Sequence, residues 1–154
     1  MLQLFENLEI SSDSASWMSS GLRALANCDG THDAEVALIE EFEQGLGLPP
    51  GDPSNFDART SPLKSEAEVE VFVLSLQLMS LADGKRTDSE QEWVERVCLC
   101  LKVSDRRRLE LDREARMFLL SSLKGVTAFR DQAEAIGRSL GLSEEDIAGA
   151  LDAN

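Results

Sequence analysis

One pattern recurs along this chain: an apolar stretch, a small-residue turn closed by glycine, then an amphipathic stretch. It is clearest from Leu76 to Val103, LQLMSLADGKRTDSEQEWVERVCLCLKV. It appears earlier from Leu22 to Leu48, LRALANCDGTHDAEVALIEEFEQGLGL, and a weaker copy runs from Phe118 to Leu142. A repeat of this kind fixes the architecture before any single helix is assigned, because one helix pair cannot bury its apolar face alone. The turn glycines Gly30 and Gly84 lie 54 residues apart, and Gly84 and Gly125 lie 41 apart. The excess matches a proline-rich stretch, so the unit is a helical hairpin of about 40 residues with an insertion after the first copy.

That stretch, residues 46–63, holds all four prolines and predicts a loop. Phe56 is the residue expected to pin it to the body. Elsewhere the apolar spacing is helical. Met18, Leu22 and Leu25 form one face of a helix over 14–26, and Leu38, Ile39, Phe42 and Leu46 one over 33–44. Thr31 is placed to cap the latter. Ser65 with Glu68 and Thr87 with Glu90 form capping boxes that open two further helices. The first of these, with Val69, Phe72, Val73, Leu76 and Met79, is apolar on all sides and reads as the buried central helix. Beyond Ser104 lies a charged segment, one bent helix or two short ones, in which Leu109, Met117 and Leu120 offer apolar contacts. Ala133, Ile136 and Leu140 mark a further helix, and Ser143 with Asp146 opens a last one bearing Ile147 and Leu151. The expectation is all-α: a single compact domain over 1–154, a bundle of about seven to eight helices built from repeated hairpins.

The formal net charge of −14 disfavours nucleic acid, whose phosphates would be repelled. It favours basic protein surfaces or metal cations. No apolar run reaches the roughly 18 residues a bilayer crossing requires, so direct membrane insertion is not expected. The opening residues lack a basic region and long apolar core, and Cys28, Cys98 and Cys100 are too few for a disulfide framework. A cytoplasmic chain with reduced thiols is the expectation.

Asp83 and Glu90 have the spacing of an EF-hand, but Met79 and Leu81 fall where oxygen ligands are needed. Two readings of the turns remain: Asp29 and Asp83 satisfy helix-end backbone groups, or Asp83 with Glu90, or Asp29 with Glu35, binds a divalent cation such as calcium loosely. His32 is the only histidine, which excludes a paired Glu-x-x-His di-iron site. Cys98 and Cys100 point about 200° apart on a helix and cannot share a metal. No nucleophile triad, phosphate loop or dinucleotide fingerprint is present, so no catalytic residues and no organic cofactor are assigned and the chain reads as a non-enzyme. Glu40, Glu41 and Glu43 form an acidic row with no basic residue to balance them, a candidate surface for a protein partner. Arg106, Arg107 and Arg108 form a basic patch that either pairs along its own helix or docks a partner, including a second copy's acidic row.

The Ala82-Asp83-Gly84 turn with Glu90, and Asp29-Gly30 with Glu35 and the closing Leu46-Gly47-Leu48, resemble the tellurite-resistance TerB family. The similarity spans about Leu22 to Leu142; the third copy has Lys124 in place of the aspartate. The resemblance implies an all-helical, cytosolic, non-enzymatic module of stress-response or membrane-associated complexes, with acidic surfaces that bind metal.

Overall fold

Helices begin where the sequence supplies a side-chain oxygen for their orphan N–H groups. In the computed structural model, which describes residues 2–5, 8–30, 32–82, 86–122 and 130–152, Ser11 Oγ accepts from Ser14 N–H at 3.2 Å and opens α1 (Ser12–Ala26). α2 (Asp33–Gly45) starts at His32, not at the expected Thr31, which lies outside the described residues. Ser65 Oγ opens α3 (Glu66–Met79), accepting from Glu68 N–H at 3.1 Å. Glu68 reaches back to Lys64 N–H, one residue before the cap, at 3.0 Å. Thr87 and Glu90 make the reciprocal box expected of α4 (Asp88–Cys100). α5 (Asp105–Ser122), α6 (Arg130–Ser139) and α7 (Glu144–Asp152) follow, and Ser143 Oγ caps α7 through Asp146 N–H at 3.2 Å. Among the described residues there are seven α-helices, three short 3₁₀ segments and no strand.

Three helices end in one way. Leu48 N–H bonds Glu43 C=O at 2.8 Å, Val103 N–H bonds Cys98 C=O at 2.9 Å, and Leu142 N–H bonds Gly137 C=O at 3.1 Å. One residue earlier, Gly47, Lys102 and Gly141 donate to Gln44, Leu99 and Arg138 and carry φ of 65°, 60° and 74°. These are Schellman closures of α2, α4 and α6. They repeat the same hairpin stop three times, and the hydrophobic residue after each stop folds back onto a core. Lys102 stands where glycine stands in the other two, at a cost of about 1 kcal/mol for its Cβ.

α3 is the central helix. Phe72, Val73, Leu76, Leu78, Met79 and Leu81 are all buried, and it packs on α1, α4 and α5. α5, undecided from the sequence, is one helix of 18 residues. It contains no Gly or Pro, and Arg106 and Arg107 pair with Glu110 within it, which supports a continuous helix. Its inward face is Leu111, Ala115 and Leu120. The expected contact of Leu109 is not made; that side chain is 57% exposed, two residues out of register with Leu111.

The proline-rich insertion is held at three points. Trp17 Nε1–H donates to Asp57 C=O at 3.3 Å. Phe56 lies among Trp17, Phe72 and Trp93, with ring centroids 4.7, 6.0 and 5.4 Å away, as expected of a pin. Gly51 sits against α1 so closely that an added Cβ would meet Ser19 and Ser20 backbone atoms at 2.8 Å. The core has two parts. The larger joins α1–α4 with Leu111; the smaller gathers Leu120, Leu140, Leu142, Ile147 and Ala150 from α5, the α6–α7 turn and α7.

Candidate functional site

The N-termini of α2 and α4 meet. Glu35 accepts from His32 N–H at 3.0 Å, and Glu90 accepts from Thr87 N–H at 2.8 Å, so each carboxylate closes its own helix start. Both are buried, and their carboxyls lie within hydrogen-bonding reach of each other. Asp29, from the end of α1, joins them: Thr87 Oγ1–H is 2.5 Å from Asp29 Oδ2 and 3.1 Å from Glu90 Oε2. Three of the four acids singled out in the sequence are therefore brought together from three elements. The fourth, Asp83, lies outside the described residues, as do Gly84, Lys124 and Gly125.

The electrostatics of this junction follow from its burial. Loss of hydration pushes the Glu35 carboxyl above its ordinary range; the His32 N–H opposes this, and the neighbouring Glu90 adds to it. The two helix dipoles favour negative charge here, while the neighbouring Glu90 opposes ionisation of Glu35. Among the described residues, no group of three or more His, Cys, Asp or Glu side chains is arranged to hold a metal ion. His32 is exposed. Beside the junction, burial and then the charge of Asp29 push the Cys28 thiol up to about 11, so it stays protonated and donates to Ala24 C=O at 3.5 Å. Cys98, in the core, is pushed up to about 11 by burial. Cys100 is exposed.

The acidic row changes membership. Glu40 and Glu41 face outward, but Glu43 does not. Its carboxylate, with 4% of the side chain exposed, accepts from Ser19 Oγ–H at 2.6 Å, Gly51 N–H at 2.8 Å and Arg23 at 2.7 and 2.6 Å. Burial raises its proton affinity, yet these donors outweigh burial and hold it below the usual carboxylate range. The row is therefore balanced at Glu43, contrary to the expectation, because Arg23 arrives from the preceding helix. Glu43 ties α1, α2 and the insertion together, a role no local sequence signal announces.

The basic patch is largely engaged by its own chain. Arg107 meets Glu70 on α3 at 2.5 Å as well as Glu110 and Glu114. Arg108 lies 3.4 Å from Glu95 on α4 and 3.6 Å from Asp105. Arg106 pairs with Glu110 at 3.0 Å yet remains 90% exposed. A second ionic feature was not anticipated: Asp112 bridges Arg86 at 2.5 Å and Arg116 at 2.8 Å, and Arg116 donates onward to Leu140 C=O. Its members are 26, 4 and 24 residues apart, so only the i,i+4 pair could be read from the sequence.

No described helix is long and apolar enough to cross a membrane. Comparison with family models, with curated proteins and with solved structures finds no match to this chain.

Proposed function

We propose that the chain is a non-enzymatic, acidic, TerB-like helical module that binds a basic protein partner, in a cytoplasmic stress-response or membrane-associated complex. The observation supporting this is how the cations are used. Arg23, Arg86, Arg107, Arg108, Arg113, Arg116 and Arg138 each face a carboxylate of the same chain. Much of the excess of acids is therefore expressed outward, at exposed residues such as Glu40, Glu41, Asp88 and Glu92. Like-signed surface of this kind steers a complementary partner and repels a second copy. Exposed Leu99 supplies an apolar contact beside it on α4. Capture by the full chain should weaken in salt and be lost in the Glu40→Lys, Glu41→Lys double variant, with helical circular dichroism unchanged. Retention of the same proteins by that variant removes the acidic face from the account.

A second reading is loose cation binding at the neighbouring carboxyls of Glu35 and Glu90 with Asp29 beside Thr87, which do not form a three-ligand metal site. Calcium at millimolar concentration would raise the melting temperature, and Asp29→Asn or Glu90→Gln would abolish the rise. A melting temperature indifferent to calcium ends that reading.

A further inference from the structure

Lys102 breaks the glycine rule of the three helix stops at one particular place. It stands at the rim of a groove of about 310 Å³ between the first turns of α3 and the α4–α5 connection. The half-buried side chains of Val69, Leu101 and Val103 give the groove an apolar lining. Arg107 also reaches it but is already held by Glu70, Glu110 and Glu114. Lys102 and Glu66, both exposed on the rim, have no ionic partner among the described residues.

An ammonium, an apolar lining and two carboxylates, Glu70 held by Arg107 and Glu66 without an ionic partner among the described residues, thus line one groove beside the basic patch of α5. We infer that this groove docks the C-terminal end of a peptide chain. The terminal carboxylate meets Lys102, the last aliphatic side chain lies on Val69, Leu101 and Val103, and a basic residue just before it meets Glu66. The volume, at the lower edge of the roughly 300–1,000 Å³ typical of ligand sites, suits one or two residues. A left-handed lysine where glycine would serve is the kind of local strain that persists when the side chain is needed. The inference rests on the interaction-module reading and names the partner's chemistry: a basic chain ending in an aliphatic residue.

The test is a backbone-amide NMR titration of the full chain with acetyl-Arg-Ala-Leu bearing a free carboxylate, against the same peptide amidated. The free acid should shift Val69, Val103 and Ser104. The amide should bind at least tenfold more weakly. Lys102→Gly should also lose tenfold or more in affinity for the acid, while melting roughly 2–4 °C higher because glycine accepts the left-handed backbone. Equal affinity for acid and amide, or unchanged binding by Lys102→Gly, overturns the inference. Should both peptides instead shift Glu40 and Glu41 alike, the groove falls and the acidic-module reading stands. If neither peptide shifts any amide at millimolar concentration, the groove falls as well.

Discussion

The body formed by α1–α4 and the unit formed by the end of α5 with α6 and α7 are held together by different forces. The body buries Phe42, Phe72, Met18, Leu22, Leu25, Ile39, Leu76 and Met79 completely, with Phe56 stacked on Trp93 and tilted against Trp17 at its edge. Its stability is mostly hydrophobic, at about 1.5–3 kcal/mol for each such side chain. Among the described residues the C-terminal unit has a core of five buried side chains, four of them leucine or isoleucine and none aromatic. Charged contacts surround that core: Arg113 to Asp146, Arg138 to Glu144 and Glu134, and Arg116 to Leu140 C=O. A repeat that is regular in its helix stops is therefore uneven in its energetics.

The largest effect should come from the body. Phe72→Ala removes a fully buried ring packed on Trp17 and Phe56 and should cost about 4 kcal/mol, unfolding both regions together in a denaturant titration. Ile147→Ala should cost about 3 kcal/mol, but to the C-terminal unit alone. Near-native amide spectra for α1–α4 in that variant would establish the contrast; global loss of dispersion would erase it.

Asp112→Asn tests the seam. Burial raises the proton affinity of this carboxyl, but the Arg116 and Arg86 guanidiniums outweigh it and hold it below its ordinary value. Its contribution is therefore complete above the unfolded value near pH 4 and is lost as pH falls through the folded one. Removing one member of a buried pair costs about 3–5 kcal/mol; for this partly solvated one, about 2 kcal/mol is expected at neutral pH, shrinking in acid. A constant difference across that range would assign the effect to packing.

Glu35→Gln should have the opposite sign and the smallest size. The folded carboxyl is raised by burial above its unfolded value, so its contribution is fully present below about pH 4 and is lost as pH rises through the folded value. At neutral pH the neutral amide should stabilise the body by about 1 kcal/mol, since Gln can still accept from His32 N–H. A lower melting temperature at pH 7 would mean that the ionised form is wanted there.

The all-helical architecture was legible because its signals are local. Ser65 and Thr87 cap where the hydroxyl-x-x-Glu spacing places them, and Phe56 pins the insertion as its isolation among polar residues suggests. Asp29, Glu35 and Glu90 were legible as acids at helix starts and turns, but the spacing paired them within each turn, and only the meeting of the α2 and α4 N-termini brings them together. What was not legible depends on distant partners. Glu43 reads as one of an exposed triplet until Arg23, Ser19 and Gly51 fold around it. Leu109 and Leu111 are equivalent by composition, and only the packing of α5 on α3 chooses the second. Lys102 hides a helix stop that Gly47 and Gly141 advertise, although its place after Thr87 matches that of Gly47 after His32.

Native-state hydrogen exchange, followed at low and at high salt, tests the two-part account most directly. The amides of Ile147–Leu151 should open with a lower free energy than those of Phe72–Met79, and raising the salt should lower the former while leaving the latter nearly unchanged. A single opening free energy shared by both stretches, with the same salt response, would contradict it.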